Sequence, residues 1–147
     1  MNVTNKPVVV EQLFDTPVNE VWDAITELEQ MKGWFFSNIP AFEPVVGFRT
    51  AFPVTSDHRV YTHLWRILEV KPGRKIRYHW RYEEYEGDGM VTFELFCKEG
   101  KTLLRVTNVG LETFPQDIPE FTRGSCQAGW EFFIKKNLKE YLGSKSA

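Results

Sequence analysis

The segment DIPEFTRGSCQAGWEFFIKKNLKEYLG, residues 117–143, predicts one long amphipathic helix. Asp117, Pro119 and Glu120 form a typical helix start: an acidic cap, a proline in the first turn and a glutamate after it. The residues that follow at helical steps of three and four are Cys126, Trp130, Phe133, Ile134, Leu138 and Tyr141. Gly143 is a natural helix end. At about 1.5 Å per residue, such a helix exceeds ~30 Å and needs an apolar partner surface of matching length.

Gly124 and Gly129 interrupt this pattern, and each glycine destabilises a helix by roughly 1 kcal/mol relative to alanine. Two explanations remain open at this point. Either the glycines allow the helix backbone to pack closely on a sheet, or their missing side chains leave space for a bound molecule beneath the helix.

Upstream of this segment, the chain begins with a strand and two short helices. Residues 8–14 are rich in β-branched side chains and predict the strand. Thr16 then serves as a helix cap, with Pro17 in the first helical position. Apolar residues at helical spacing predict a helix that ends near Thr26, and a second helical turn is predicted over residues 28–31.

Between Gly47 and Gly110 the apolar period changes to two, which indicates strands with one buried face. The clearest strand places on one face Ile76, Tyr78, Trp80 and Tyr82. Turns as short as Lys71-Pro72-Gly73 join antiparallel neighbours, because a parallel return needs a longer crossover. The inner face of residues 60–70 stays open, since two sets compete for it: Leu64, Leu68 and Val70 against Tyr61, Trp65 and Ile67.

The composition predicts one domain over residues 1–147. The net charge of −2 gives no electrostatic footprint for a nucleic-acid partner. No apolar run is long enough to span a membrane, and the sequence shows no basic-then-apolar leader. Cys97 and Cys126 are expected to be free thiols that face inward, which suits a reducing cytoplasm.

The order of elements predicts the fold class. A strand is followed by two short helices, a long antiparallel meander and one long helix. The prediction is an α+β fold in which a curved antiparallel sheet of about six strands wraps around the C-terminal helix, with two short helices after strand 1.

Several short motifs occur in the same order as in a known superfamily. They are Phe14-Asp15-Thr16-Pro17, Val21-Trp22-Asp23-Ala24-Ile25-Thr26, Trp34-Phe35, Gly47-Phe48, Glu69-Val70-Lys71-Pro72, Tyr78-His79-Trp80, Val91-Thr92-Phe93-Glu94-Leu95, Thr107-Asn108-Val109-Gly110-Leu111 and Gly129-Trp130 with Ile134 and Leu138. In this order they resemble the Bet v 1-like helix-grip superfamily, also called START-related or SRPBCC. Within it, the sequence is similar to the family named after the activator of the heat-shock protein 90 ATPase.

The resemblance implies a helix-grip fold that commonly encloses a pocket. The superfamily includes lipid carriers, hormone receptors, cyclases and co-chaperone domains, so the fold alone does not assign a function. Two positions depart from the family pattern: Trp65 stands where a glycine is frequent, and Asn108 stands where a histidine is frequent. A role of that histidine in relatives does not transfer to this chain.

No catalytic or metal-binding constellation is recognisable in the sequence. His58, His63 and His79 are scattered, and His79 is predicted to face solvent, so we expect neither a metal nor another cofactor. Cys126 is most simply a small core residue. Tyr78 is the best candidate for a catalytic proton donor if the domain is an enzyme, and no other catalytic residue is predicted.

The aromatic content, 15% with five tryptophans and twelve phenylalanines, is the most informative feature for function. Rings that converge between the sheet and the long helix form either an ordinary core or the walls of a pocket. The residues predicted to bind a ligand are Trp34, Phe52, Tyr78, Trp80, Phe93, Asn108, Trp130 and Phe133. Asn108 and Thr50 are the predicted inward polar groups, and the Asn108 amide needs a partner in backbone, water or ligand.

Three functional hypotheses follow. The first is a non-catalytic domain that binds a small hydrophobic or aromatic molecule. The second, implied by the resemblance, is a co-chaperone-like domain that stimulates the heat-shock protein 90 ATPase. Its possible contacts are Phe36, Phe132 and an acidic hairpin tip of Glu83, Glu84, Glu86 and Asp88. The third is a cyclase or dehydratase that uses the same pocket. We expect a monomer or a weak dimer.

Overall fold

A six-stranded antiparallel sheet forms the framework of the computed structural model, which describes residues 6–145. The strands are β1 (Val8–Phe14), β2 (Arg49–Ser56), β3 (Arg59–Lys71), β4 (Lys75–Tyr82), β5 (Tyr85–Lys98) and β6 (Lys101–Val109). Their order across the sheet is β1-β6-β5-β4-β3-β2, and helices α1 (Val18–Thr26) and α2 (Leu28–Trp34) connect the two edge strands. The predicted α+β helix-grip fold is confirmed.

The C-terminal part of the chain forms a long helix that packs against the sheet. It consists of α3 (Arg123–Trp130), a π-helical segment (Glu131–Leu138) and α4 (Lys139–Lys145), and we call the three together the terminal helix. The predicted apolar stripe is confirmed, because Trp130, Ile134 and Leu138 are buried. Within residues 6–145, no helix has both the length and the apolar character that a membrane span requires.

The terminal helix begins at Arg123, so the predicted start at Asp117 is wrong. Pro119–Phe121 forms a single 3-10 turn, and the backbone returns to an extended conformation at Thr122. The Thr122 hydroxyl oxygen accepts a hydrogen bond from the Ser125 backbone N–H at 3.3 Å. A threonine cap of this kind starts a new helix. The acid–proline motif therefore shapes the loop before the helix.

Helix α1 also begins later than predicted. Its cap is Pro17, its first residue is Val18, and no side chain caps it. Thr16 is buried, and its carbonyl oxygen accepts a hydrogen bond from the Thr102 hydroxyl at 2.7 Å. Thr16 thus connects the start of α1 to β6 through its backbone.

A β-bulge determines the inner face of β3. The buried residues before the bulge are Tyr61, His63, Trp65 and Ile67. The register with β4 shifts between Ile67 and Glu69, and Val70 then pairs with Ile76. Because a bulge inserts one residue, it reverses the alternation of side chains along the strand. Each of the two competing sets therefore contributes to the inner face, one before the bulge and one after it.

The prediction that both cysteines face inward is wrong for Cys97. This residue is exposed near the end of β5, whereas Cys126 is half-buried, and both thiols are free. Strand β5 continues past its last buried residue, Leu95, and ends in a turn at the edge of the core. Beyond that point, alternation along the strand no longer reports burial.

Candidate functional site

The space between the sheet and the terminal helix contains two different regions. In the first, which we call the packed half, aromatic side chains are in mutual contact. Phe35 lies at its centre: its ring centroid is 4.7 Å from that of Trp34, 5.6 Å from that of Trp65 and 5.8 Å from that of Trp130. The packed half consists of Trp34, Phe35, Phe52, Trp65, Tyr78 and Phe93, each at most 8% exposed.

Polar atoms within the packed half are incompletely paired. The Trp34 indole N–H donates to the Ala24 carbonyl oxygen at 2.8 Å. The Trp65 indole nitrogen and the Tyr78 hydroxyl are buried without a hydrogen-bond partner among the described residues. Burial alone raises the pKa of Tyr78 far above its ordinary value, so this phenol stays neutral.

The second region is a cavity of about 340 Å³ near the start of the terminal helix. Its walls come from β2 to β6, the loops after α2 and β6, α3 and the π-helical segment, and they are largely apolar. Of the lining residues only Ser56 and Ser125 are exposed. A larger groove of about 470 Å³ on the outer face of the sheet is lined by charged side chains such as Arg49, Arg66 and Arg81.

Gly129 lines the cavity where the helix passes over it. A Cβ atom added at Gly129 would meet no atom within 4 Å, and the same holds for the exposed Gly124. Neither glycine therefore serves close packing of the helix on the sheet. At Gly129, the absent side chain leaves open volume beneath the helix.

Phe114, in the loop after β6, forms the end wall of the cavity. Its ring lies so close to the β5 hairpin that a Cβ atom at Gly87 would come within 2.0 Å of it. Gly87 also has a φ of +139°, which side chains rarely adopt. This glycine in β5 therefore allows Phe114 to lie against the sheet, where its ring contacts Tyr82 and Phe121.

His63 lies in the wall between the cavity and the packed half. Its ring stacks on Phe52 with a centroid distance of 5.0 Å and meets the edge of Tyr82 at 4.9 Å. Its Nδ1 lies 2.9 Å from the Tyr61 carbonyl oxygen, which can only accept, so Nδ1 carries the proton. Burial lowers the pKa of His63 to about 4, and the imidazole is neutral at neutral pH.

Tyr61, Glu120 and Arg59 form a polar group at the cavity wall. The Tyr61 hydroxyl is buried, and burial together with the nearby Glu120 raises its pKa to about 12. The Tyr61 hydroxyl lowers the pKa of Glu120, and Arg59 adds to this effect through an ion pair at 3.5 Å. At neutral pH the group therefore presents a neutral phenol and an ionised carboxylate.

Further polar groups reach the cavity from other elements. The Trp80 indole N–H donates to the Tyr82 hydroxyl at 2.9 Å. Burial raises the pKa of the Cys126 thiol to about 11, so the thiol is protonated. The Asn108 amide lines the cavity and has no hydrogen-bond partner within the described part of the chain.

The structure divides the predicted ligand-binding residues between the two regions. Trp80, Asn108, Trp130 and Phe133 line the cavity. The other four lie in the packed half, at 2% exposure or less: Trp34, Phe52, Tyr78 and Phe93. Thr50 faces the same side as its strand partner Trp65 but does not line the cavity.

Sequence reasoning missed the polar residues of the cavity wall. Tyr61 and His63 lie on β3, whose inner face was undecided, and Glu120 was assigned to the first turn of the helix. Once the face of Tyr61 is chosen, the period of two places His63 beside it. Within residues 6–145, no three His, Cys, Asp or Glu side chains converge in a way that could hold a metal ion.

Residues 15–143 match the family model described as Activator of Hsp90 ATPase homolog 1-like protein. The chain therefore belongs to this family, which has the Bet v 1-like fold. The sequence matches no curated protein.

Solved structures with the same fold come from several bacteria. MLL2253 from Mesorhizobium loti is 25% identical with a TM-score of 0.73, and the match covers 95% of this chain and 98% of MLL2253. CalU16 from Micromonospora echinospora is 25% identical with a TM-score of 0.66, covering 94% of this chain and 74% of CalU16. CV1439 from Chromobacterium violaceum is 20% identical with a TM-score of 0.76, covering 91% and 94%.

Proposed function

We propose that this protein binds a small apolar or aromatic molecule in the cavity beneath the terminal helix and does not catalyse a reaction on it. The observation that carries this proposal is the ring-lined space at Gly129, where the helix omits a side chain. Ligand pockets in proteins span roughly 300–1,000 Å³ and combine apolar walls with a few polar groups. At about 340 Å³, this cavity suits a small ring compound.

The protonation states of the wall residues favour binding over catalysis. With a pKa of about 4, His63 is a weak base that takes up little proton at neutral pH. Tyr61 and Cys126 have pKa values raised to about 12 and about 11, so neither is an activated nucleophile. A cyclase or dehydratase needs a base or acid that titrates near the working pH, and these three groups do not supply one.

A titration with small ring compounds tests the binding function. We expect flavonoids or naphthalene derivatives to shift the NMR indole signals of Trp80 and Trp130 in a saturable way. The indole signals of Trp34 and Trp65, in the packed half, are internal controls and should move little. The proposal would be contradicted if fatty acids, sterols, flavonoids and naphthalene derivatives all failed to cause saturable shifts.

The two helical glycines provide a matched pair of variants for this titration. Gly129→Phe places a ring in the cavity and should abolish binding. Gly124→Phe adds the same ring at an exposed position of the same helix and should leave binding unchanged. Equal effects of the two substitutions would show that the ligand binds elsewhere.

The family supports a second candidate, stimulation of the heat-shock protein 90 ATPase. Phe132 lies on the terminal helix at 51% exposure and offers an apolar contact to a partner. The Phe36 ring packs against Phe52 and Phe133 and therefore offers no such contact. Of the acidic tip, Glu84 accepts a hydrogen bond from the Thr62 backbone N–H and Asp88 pairs with His79, which leaves mainly Glu83 and Glu86 for a partner.

An ATPase assay with purified components tests this candidate. We expect stimulation by the unaltered protein, a clear loss with Phe132→Ser, and no loss with Val9→Ser, which changes an exposed apolar residue on the edge strand β1. Absence of stimulation and of complex formation would reject the co-chaperone role. For both candidates we propose a cytoplasmic location and a monomer or weak dimer, which sedimentation can measure.

A further inference from the structure

The hydrogen-bond roles at one point of the cavity wall are fixed by the fold. The His63 Nδ1–H donates to the Tyr61 carbonyl oxygen at 2.9 Å, which leaves the lone pair on Nε2. Nε2 has no donor among the described residues, although the ring is enclosed by Phe36, Phe52 and Trp80. His63 therefore presents an unused hydrogen-bond acceptor in an apolar wall.

The Glu120 carboxylate adds a second hydrogen-bond acceptor to the cavity wall. Tyr61 lies two residues before His63 on the same face of β3, about 7 Å away along the strand. Its hydroxyl and Arg59 both stabilise the ionised form of Glu120. Arg59 forms an ion pair with Glu120 and is not one of the residues that line the cavity.

These roles decide which ligands the wall tolerates. A hydroxyl or N–H group on a ring compound can donate to Nε2. An ether of the same size leaves Nε2 without a partner, and an unpaired buried acceptor is unfavourable. A carboxylate brings a lone pair against Nε2 and a second negative charge near Glu120, and it loses its hydration on entering a largely apolar cavity. The Asn108 amide both donates and accepts, so it does not discriminate among these ligands.

We propose that the cavity selects uncharged ring compounds whose hydroxyl or N–H group donates a hydrogen bond to Nε2 of His63, and that it discriminates against ethers and carboxylates of the same size. This specificity rests on the binding function proposed above. It names the chemical class of the ligand and the atom that recognises it.

Three naphthalene derivatives of similar size provide the test at pH 7: 2-naphthol, 2-methoxynaphthalene and 2-naphthoate. We expect 2-naphthol to bind roughly tenfold more tightly than the methyl ether, as one hydrogen bond predicts, and the carboxylate to bind most weakly. Calorimetry or tryptophan fluorescence measures the affinities. In the unaltered protein, the ¹⁵N shift of His63 Nε2 should change with 2-naphthol and not with the ether.

Two histidine variants locate the effect. His63→Phe keeps a ring in the wall but removes the acceptor, so the preference for 2-naphthol over the ether should fall to about onefold. His79→Phe changes a histidine outside the cavity, on β4, and should keep the tenfold preference. Circular dichroism checks that both variants fold. If His63→Phe does not fold, the ¹⁵N measurement on the unaltered protein decides whether 2-naphthol donates to His63.

The outcomes separate this specificity from the binding function itself. Equal affinities for all three compounds, or tightest binding of the carboxylate, would overturn the inference and leave the cavity as a binding site. A preference that survives in His63→Phe would also overturn it. Binding of none of the three would count against the proposed function and remove the inference with it.

Discussion

The packed half and the cavity lie side by side beneath the same helix and are built from the same kinds of rings, yet only one of them is filled. In the packed half, α2 ends in Trp34 and the next residue, Phe35, inserts its ring between the sheet and Trp130. At the cavity, Phe36, Phe114 and Phe121 contribute rings to the walls, and the helix places Gly129 above the space. A high ring content therefore does not tell a filled region from an open one; the region is filled where a ring such as that of Phe35 inserts between sheet and helix.

The same comparison applies to polar atoms. In the packed half, Tyr78 Oη and Trp65 Nε1 are buried without a hydrogen-bond partner among the described residues, whereas the Tyr61 hydroxyl at the cavity lowers the pKa of Glu120. Among close-packed rings, such an atom only destabilises the fold, since nothing can reach it. At the cavity wall, the same chemical group is available to a ligand. The two regions can thus be distinguished by experiment.

The largest expected difference concerns ring deletion. Phe35→Ala should lower the free energy of unfolding by about 4 kcal/mol, because large core rings leave cavities that the packed half cannot refill. Phe114→Ala should lower it by only about 2 kcal/mol, since its ring already borders open volume. Denaturant unfolding measures both values. Equal losses would show that the two regions are packed alike.

The next effect is a pH dependence that arises at the cavity wall. His63 has a pKa of about 4 in the folded protein, against an ordinary value of 6.5. Between these pH values the unfolded chain binds more protons at His63 than the folded chain does. The contribution of the neutral His63 to the free energy of unfolding is therefore fully present above pH 6.5 and is lost as the pH falls toward 4. From pH 7 to pH 4.5, protonation of His63 should lower the free energy of unfolding by about 2 to 3 kcal/mol.

Urea unfolding at the two pH values measures this loss. His63→Phe should reduce the loss by about 2 to 3 kcal/mol, the share assigned to His63. The lowered pKa values of Glu84 and Glu120 cause a further loss on acidification in every variant, so the difference between variants is the quantity to compare. An identical pH profile for His63→Phe would contradict the buried, neutral imidazole.

A pair of hydroxyl deletions compares the two regions directly. Tyr78→Phe should stabilise the protein by about 1 to 2 kcal/mol, because it removes a buried hydroxyl without a partner. Tyr61→Phe should bring no such gain and should raise the pKa of Glu120 toward its ordinary range, since the hydroxyl lowers it. Thermal unfolding and a ¹³C-detected carboxyl titration provide the measurements. A destabilised Tyr78→Phe variant would mean that this hydroxyl has a partner, such as a buried water.

The smallest effect concerns the helical glycines. Gly129→Ala and Gly124→Ala should each stabilise the protein by about 1 kcal/mol through helix propensity alone, because neither new methyl group meets another atom. Melting temperatures measured for both variants test this equality. A destabilised Gly129→Ala variant would show that the helix lies closer to the wall than the structure has it.

Much of the fold was predictable because burial follows the backbone period. The alternation in β4 and the stripe of Trp130, Ile134 and Leu138 predicted which faces meet. The start of the terminal helix was not predictable from Asp117 and Pro119, since Thr122 provides a competing cap nearby. The bulge after Ile67 was also hidden, because one inserted residue leaves both inner-face patterns partly satisfied.

The sequence by itself determined the elements, their order, the inward direction of most rings and the presence of two glycines in the terminal helix. Only the tertiary structure decided which rings fill space and which surround it. The Phe35 ring fills one region, whereas the Phe114 ring borders the other, which lies beneath Gly129. The physical reason is that periodicity is a local property of the backbone. Volume between elements depends on side chains from distant parts of the chain, and so does the set of polar atoms that stay without a partner.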